Sequence, residues 1–103
     1  MPYTKRSSKG ATWGEHLYLI DSTAERLTKV GRSWDPERRC RDVAHACPFL
    51  GVRLLAVYPG AGGLEMEVHK ALRAEFTEVG REWFRASGSE VLPTLSRVLA
   101  ANA

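Results

Sequence analysis

The sequence predicts an α+β domain in which a small three-stranded antiparallel sheet is flanked by helices. Three observations support this class. Residues 16–20 and 27–31 are strand-like runs close enough to pair as a hairpin, and residues 52–58 form a third run. Apolar residues at helical spacing follow the second and third runs. The length of 103 residues suits one domain, which we place at residues 15–103.

The hairpin is predicted from the turn between its strands. Residues 21–25 read Asp-Ser-Thr-Ala-Glu, a segment rich in turn-forming side chains. We therefore expect residues 16–31 to form an antiparallel pair of strands. This pairing makes Tyr18 and Lys29 expected neighbours on adjacent strands.

The first helix is predicted to begin at Asp35 and Pro36. An aspartate accepts hydrogen bonds from the unpaired amides of the first turn, and a proline suits the first helical position. Pro48 ends the helix. Its predicted inner face consists of Cys40, Val43, Ala44 and Cys47.

The two cysteines are predicted to be packing residues. On one helix, Cys40 and Cys47 lie about 10.5 Å apart along the axis, which is too far for a disulfide. We expect both to be buried as small hydrophobic side chains. A zinc site that uses them with His45 is disfavoured because the sequence has no CxxC pair.

The second half of the chain continues the alternation of elements. Residues 59–63 are a glycine-rich break that lacks the continuation of a phosphate-binding loop. Apolar spacing predicts a helix over residues 63–76, and residues 82–84 are interpreted as a short, packed, extended segment. Ser87 or Ser89 is expected to cap a last helix.

Positive charge is concentrated in one segment. The net charge is +3, and residues 26–41 hold six basic residues against two acidic ones. Such a patch suits a polyanion, or it is a solvated helix face with local acidic partners. The six basic residues are Arg26, Lys29, Arg32, Arg38, Arg39 and Arg41.

Two features of the sequence limit its expected location. No apolar run approaches the ~20 residues of a membrane span, and the N-terminus lacks the hydrophobic segment of a secretory signal. We therefore expect a cytoplasmic or nucleoid-associated protein without a membrane partner. Residues 1–14 are expected to form a flexible basic tail.

Four short motifs, in order, resemble those of the GIY-YIG nuclease superfamily, and most closely its T5orf172 and MUG113 domains. His16-Leu17-Tyr18 is similar to the GIY element, and Lys29-Val30-Gly31 is similar to the YIG element. Residues 29–39 are similar to the subfamily's run KIG-x-(S/T)-x-DPxxR. The later matches are ExxxH at Glu65 and His69, and GEWF at Arg81-Glu82-Trp83-Phe84.

The resemblance implies a metal-dependent DNA endonuclease that hydrolyses phosphodiester bonds. It implies Tyr18 as the general base or water-orienting residue, with Lys29 and Arg39 as cations that favour its phenolate and bind phosphate. On the residues alone, Tyr18 could instead pack at a sheet edge. Arg39 could equally pair with a surface carboxylate, Glu37 or Asp42.

The resemblance also implies one Mg²⁺ or Mn²⁺ ion held by Glu65. His69, one turn later on the same face, is expected to orient Glu65, contact phosphate or move a proton, or else to be a packing residue. Gly31 and Glu82 are expected to be structural motif residues. Trp83 and Phe84 are expected to close the core.

DNA is the implied partner, with RNA as an open alternative. The expected nucleic-acid contacts are Arg32, Trp34, Arg38 and Arg41. The sequence shows no helix-turn-helix or zinc finger, so we expect the protein to cut non-specifically, to read DNA shape, to form a homodimer or to use a targeting partner. The chain departs from the family's motifs at four residues, His16, Leu17, Lys29 and Arg81, and the late asparagine of many homing enzymes has no clear match. The alternative function is therefore a catalytically weak or inactive module of the same fold that binds nucleic acid or protein.

Overall fold

A computed structural model of the chain describes residues 14–103. The predicted flexible tail, residues 1–14, lies outside the described residues except for its last position. Two short 3₁₀ turns, Pro48–Leu50 and Gly62–Leu64, precede the third strand and the second helix. The elements are β1 (His16–Ser22), β2 (Thr28–Ser33), α1 (Pro36–Ala46), β3 (Val52–Tyr58), α2 (Glu65–Glu75), β4 (Trp83–Phe84) and α3 (Gly88–Ala101).

The sheet is antiparallel, and its strand order is β3-β1-β2-β4. The α+β class is confirmed, but the sheet has four strands rather than the three predicted. The added strand consists of Trp83 and Phe84, which pair with Lys29 and Thr28 of β2. This segment was predicted to be extended and is, but two residues are too few to show the alternation that identifies a strand in a sequence, so its pairing with β2 is seen only in the structure.

Strand β1 lies in the interior of the sheet, paired with β2 on one side and with β3 on the other. Four consecutive residues of β1, Leu17 to Ile20, are fully buried. Tyr18 therefore does not lie at a sheet edge, the position that an ordinary packing tyrosine was expected to take. In the β1–β2 register, Tyr18 lies opposite Gly31 and Ile20 lies opposite Lys29.

The core lies between one face of the sheet and the helices α2 and α3. Phe84 is fully buried in it, as predicted, whereas Trp83 is only half-buried. Fully burying a side chain of this size contributes about 1.5–3 kcal/mol, so β4 is fixed chiefly by Phe84. The buried cluster comprises Leu17, Leu19, Val30, Val68, Leu72, Phe84, Ala86, Val91 and Leu95.

Helix α1 begins as predicted but packs less deeply than predicted. The Asp35 side chain accepts a hydrogen bond from the Arg38 N–H over 3.1 Å, and Pro36 occupies the first turn. Cys40 and Cys47 are free thiols that are half-buried, so the expectation that both are buried was wrong. The helix packs mainly on the edge strand β3, which encloses only part of its inner face.

The remaining helices are close to their predicted bounds. Helix α2 begins at Glu65 rather than near residue 63, because Gly62–Leu64 form a 3₁₀ turn. Ser87 is the N-cap of α3, and it forms a capping box with Glu90. Within residues 14–103, no helix has both the length and the apolar character needed to cross a membrane.

Candidate active site

The first group of site residues consists of Tyr18, Lys29 and Glu82. The Lys29 ammonium donates a hydrogen bond to the Tyr18 phenolic oxygen over 3.0 Å and another to the Glu82 carboxylate. Tyr18 is fully buried, whereas 12% of the Lys29 side chain and 38% of the Glu82 side chain are exposed. The two charged side chains therefore lie between the phenol and solvent.

The strand register explains why Tyr18 and Lys29 meet. Lys29 lies opposite Ile20, two residues along from Tyr18, so the two side chains are diagonal neighbours on one face of the sheet. A Cβ added at Gly31 would lie 2.5 Å from the Tyr18 phenolic oxygen. Gly31 is therefore required because the Tyr18 ring occupies the space that a side chain would need.

Glu82 was expected to be a structural motif residue, and the structure places its side chain in the site as well. Its φ of 69° is in the left-handed region, which costs a non-glycine residue about 1–2 kcal/mol. Its carbonyl accepts a hydrogen bond from the Val30 N–H over 3.0 Å. The backbone bond and the ion pair with Lys29 together hold Glu82 in this conformation.

The surroundings of Lys29 keep it positively charged. Burial is the largest single influence and lowers the pKa of Lys29, but hydrogen bonds to Glu82 and Tyr18, together with their charges, raise that pKa above its ordinary value. An ammonium therefore lies beside the phenolic oxygen of Tyr18 and donates a hydrogen bond to it.

The second group of site residues joins Glu65 to Arg32 and Glu15. Glu65 is the first residue of α2 and is buried, with 8% of its surface exposed. One of its carboxylate oxygens lies 3.2 Å from an Arg32 nitrogen, and Arg32 is also 3.2 Å from the Glu15 carboxylate. Arg32, which was expected to contact nucleic acid, thus lies between two carboxylates.

A close backbone approach positions Glu65. The Gly62 N–H donates to the Glu15 carbonyl over 2.8 Å, and an added Cβ at Gly62 would lie 2.7 Å from that oxygen. Only a glycine permits this approach. Because the turn Gly62–Leu64 leads directly into α2, the contact with Glu15 brings Glu65 to the start of β1.

His69 connects Glu65 to the sheet. Its Nε2 lies 2.7 Å from the Val30 carbonyl oxygen, and a carbonyl only accepts, so Nε2 carries a hydrogen and donates. The same nitrogen is 3.9 Å from a Glu65 oxygen, and the ring packs against Phe84 with centroids 5.6 Å apart. His69 therefore packs against the core and also lies beside Glu65.

Electrostatics couple the two groups. Burial raises the pKa of the Glu65 carboxyl, and the negative charge of Glu82 raises it further. Three neighbours act in the opposite direction and offset the rise only in part: His69, Arg32 and Lys29. The two groups are also joined through Val30, whose N–H bonds to Glu82 and whose carbonyl bonds to His69.

Two of the three predicted arginines of α1 line a neighbouring cleft. Arg38 and Arg39 are exposed and line it together with Trp34 and Glu15. Glu15 therefore belongs both to this cleft and to the contacts around Arg32. Arg41 is exposed further along α1, outside the cleft.

The donor set fits a magnesium ion held through one carboxylate. Among residues 14–103, no three His, Cys, Asp or Glu side chains are grouped as a metal cage. Mg²⁺ does not require such a cage, because it keeps several waters and uses one or two carboxylates together with phosphate. Three carboxylates, Glu15, Glu65 and Glu82, face two cations, Lys29 and Arg32, which leaves one net negative charge to attract a metal ion.

The four-stranded α+β fold brings a tyrosine, a lysine and a buried glutamate together in one small domain. The chain belongs to the T5orf172 domain family, which matches residues 15–99. This family is associated with nuclease-type proteins, and the match confirms the resemblance predicted from the four motifs. No functionally curated protein and no solved structure matches the chain.

Proposed function

We propose that this protein is a metal-dependent endonuclease that hydrolyses phosphodiester bonds of DNA at the two groups of site residues. The observation that supports this proposal best is the partly buried hydrogen bond from Lys29 to Tyr18, within electrostatic reach of the Glu65 carboxylate. Phosphodiester hydrolysis needs a group that handles a proton, a cation for the phosphoryl oxygens and a stabilised leaving group. The site contains candidates for each.

Lys29 is the proposed cation for the phosphate undergoing cleavage. Its side chain is the less buried partner of the pair with Tyr18, and its present carboxylate partner is Glu82. A substrate phosphate competes with Glu82 for the ammonium. When Glu82 moves aside, the phenolic oxygen of Tyr18 becomes accessible to a water molecule that it can orient or deprotonate.

Glu65 is the proposed metal ligand, and a Mg²⁺ or Mn²⁺ ion bound there would polarise the phosphate and stabilise the leaving oxygen. His69 is proposed to orient Glu65, since its Nε2–H is already directed to the Val30 carbonyl. Arg39 is proposed to bind a backbone phosphate of the same strand, because its guanidinium fork matches phosphate geometry.

A cleavage assay with matched variants tests the proposal. Supercoiled, linear, single-stranded and branched DNA are incubated with the protein in Mg²⁺, Mn²⁺ or EDTA. We expect metal-dependent cleavage that falls about 10²-fold or more in Glu65→Ala and about 10²- to 10⁴-fold in Tyr18→Phe. The proposal is overturned when folded wild-type protein cuts none of these substrates.

Two control variants separate chemistry from general damage. Glu67→Ala removes an exposed carboxylate two residues from Glu65, and Tyr58→Phe removes the hydroxyl of a half-buried tyrosine on β3. Both are expected to cut like the wild type. If these controls also lost cleavage, the loss in the site variants would reflect reduced stability of the fold rather than removal of a catalytic group.

A catalytically inactive nucleic-acid-binding module is the second candidate function. Two observations favour it: Tyr18 is fully enclosed, and one Glu65 oxygen is paired with Arg32. In that case the protein binds DNA or RNA without cutting it, and Glu65→Ala binds as tightly as the wild type. A homodimer or a targeting partner would supply specificity under either function.

A further inference from the structure

A cleft of about 380 Å³ lies at the start of α1, beside the candidate active site. This volume is within the range of small-ligand sites. Trp34 forms part of its wall and is 44% exposed, which is unusual for so large an apolar side chain. Glu15 connects the cleft to the active site, because it also pairs with Arg32.

Gly14 helps to hold the Trp34 indole in place. A Cβ added at the buried Gly14 would lie 2.3 Å from Cη2 and 2.8 Å from Cζ3 of the indole. The six-membered ring therefore packs against backbone at this point, while nearly half of the residue remains exposed. A tryptophan supported in this way is a suitable surface for stacking.

The charges of the cleft indicate what it can bind. Two arginines, Arg38 and Arg39, line it together with three carboxylates, Glu15, Asp35 and Asp42. A bare phosphate would meet more negative than positive charge there. A nucleotide suits the mixture better, because its phosphate pairs with arginine while base amino groups donate to carboxylates.

We propose that this cleft binds an unpaired nucleobase of the substrate strand, stacked on Trp34, with the adjoining phosphate on Arg38 or Arg39. The base must be unpaired because duplex stacking covers both faces of a paired one. This inference rests on the proposed function only for its nucleic-acid partner. It specifies a substrate class: DNA with a single-stranded or extrahelical nucleotide next to the phosphate that is cut.

Binding measured in EDTA tests the inference without cleavage. The probes are a fluorescein-labelled oligodeoxycytidylate of about ten nucleotides and an abasic strand of equal length, compared by fluorescence anisotropy. We expect the wild type to bind the base-containing strand at least about fivefold more tightly, the low end for one stacked base. Trp34→Ala should bring the affinity ratio, that of the base-containing strand to the abasic strand, close to one. Trp34→Tyr should keep most of this ratio.

Three further variants locate the effect. Gly14→Ala displaces the indole without removing it and should lower the ratio. Phe49→Ala removes an aromatic side chain that is 91% exposed elsewhere and should leave the ratio unchanged. Arg38→Gln should weaken binding of both strands equally, so that the ratio persists.

The outcomes separate this inference from the proposed function. A ratio near one in the wild type, absence of binding to both strands, or a ratio that survives Trp34→Ala overturns the inference. A Trp34-dependent ratio in a protein that cuts no DNA with Mg²⁺ supports the inference and overturns the nuclease. Metal-dependent cleavage by a protein that binds both strands equally well supports the nuclease and overturns the inference.

Discussion

At the scale of single residues, Lys29 joins a buried phenol to a carboxylate that arrives from far along the chain. Lys29 and Tyr18 are separated by 11 positions and Lys29 and Glu82 by 53. The carboxylate offsets the cost of burying the ammonium, and the ammonium holds Glu82 in its left-handed conformation. Glu82 therefore stabilises the buried charge of Lys29, and Lys29 stabilises the strained backbone of Glu82.

We expect Glu82→Gln to destabilise the fold by about 1 kcal/mol, because a charge-assisted hydrogen bond to Lys29 becomes a neutral one while the strained backbone remains. Urea denaturation measures the effect. Glu78→Gln is the matched control, since Glu78 pairs with the half-exposed Arg73 over 3.6 Å and should change stability by less than about 0.5 kcal/mol. Equal losses in both variants contradict the interpretation.

The contact between Tyr18 and Lys29 could be predicted from the sequence, whereas the other contacts of the site could not. Tyr18 and Lys29 are on paired strands of one hairpin, so their contact follows from local patterning. The contact with Glu82 depends on a two-residue strand and one φ angle, neither of which has a periodic signal. The pairing of Arg32 with Glu65 depends on how closely the 3₁₀ turn Gly62–Leu64 approaches the start of β1. This is a tertiary contact, which local sequence patterns do not predict.

At the scale of elements, the N-terminus of α3 is the most strongly capped in the described chain. Ser87 and Glu90 form a reciprocal capping box, and Arg26 adds a two-point ion pair to Glu90 at 2.6 and 2.8 Å. This arrangement ties the last helix to the end of the hairpin. It stabilises α3 although Pro93 lies within the helix, in its second turn.

The cap predicts a pH dependence of stability. Hydrogen bonds from Arg26 and Ser87 lower the pKa of Glu90 from 4.5 to about 2. A carboxyl whose pKa is lower in the folded state stabilises the fold above pH 4.5 and loses that contribution as the pH falls toward 2. We expect Glu90→Gln to flatten the fall of Tm in this range, measured by circular dichroism.

A control variant assigns the effect to the cap. Glu67→Gln removes an exposed carboxylate from α2 and should leave the Tm profile parallel to that of the wild type. If Tm fell with pH equally in wild type and Glu90→Gln, the ionised Glu90 carboxylate would contribute nothing to stability.

Most elements could be predicted from the sequence because their signals are local. Asp35 and Pro36 mark the start of α1, and residues 52–58 form β3 as expected. The depth of packing was not predictable in the same way. The face of Cys40 and Cys47 is apolar whether it meets a central strand or, as here, an edge strand that covers it incompletely.

At the scale of the whole molecule, positive charge lies outside the candidate active site. The chain carries +3, whereas the charged groups around Glu65 and Lys29 sum to one negative charge. Lys5, Arg6 and Lys9 supply three positive charges, as many as the net charge of the chain, whereas α1 carries three arginines against Glu37 and Asp42. The negative balance of the site favours attraction of a metal ion, and a polyanion would contact α1 through individual exposed arginines rather than through a net positive charge of the helix.

We expect DNA affinity to fall steeply with salt, given the proposed nucleic-acid partner. Arg41→Gln should reduce the slope of log K against log salt by about 0.9 on duplex DNA, the value for one phosphate contact. Arg97→Gln is the control, because Arg97 pairs with Glu75 over 2.8 Å on the surface of α3. Titrations at several salt concentrations measure both slopes, and an equal reduction in the two variants contradicts a contact specific to α1.

The long separation between Lys29 and Glu82 also has a consequence for the order of assembly. The β1–β2 hairpin closes a short loop and forms early, whereas the contact of β2 with β4 must close a much longer one. We therefore expect Tyr18 and Lys29 to come into register before Glu82 joins them during folding. Because Glu82 lies 53 positions after Lys29, a chain that ends before Glu82 would contain both strands of the hairpin but not the carboxylate that completes the site.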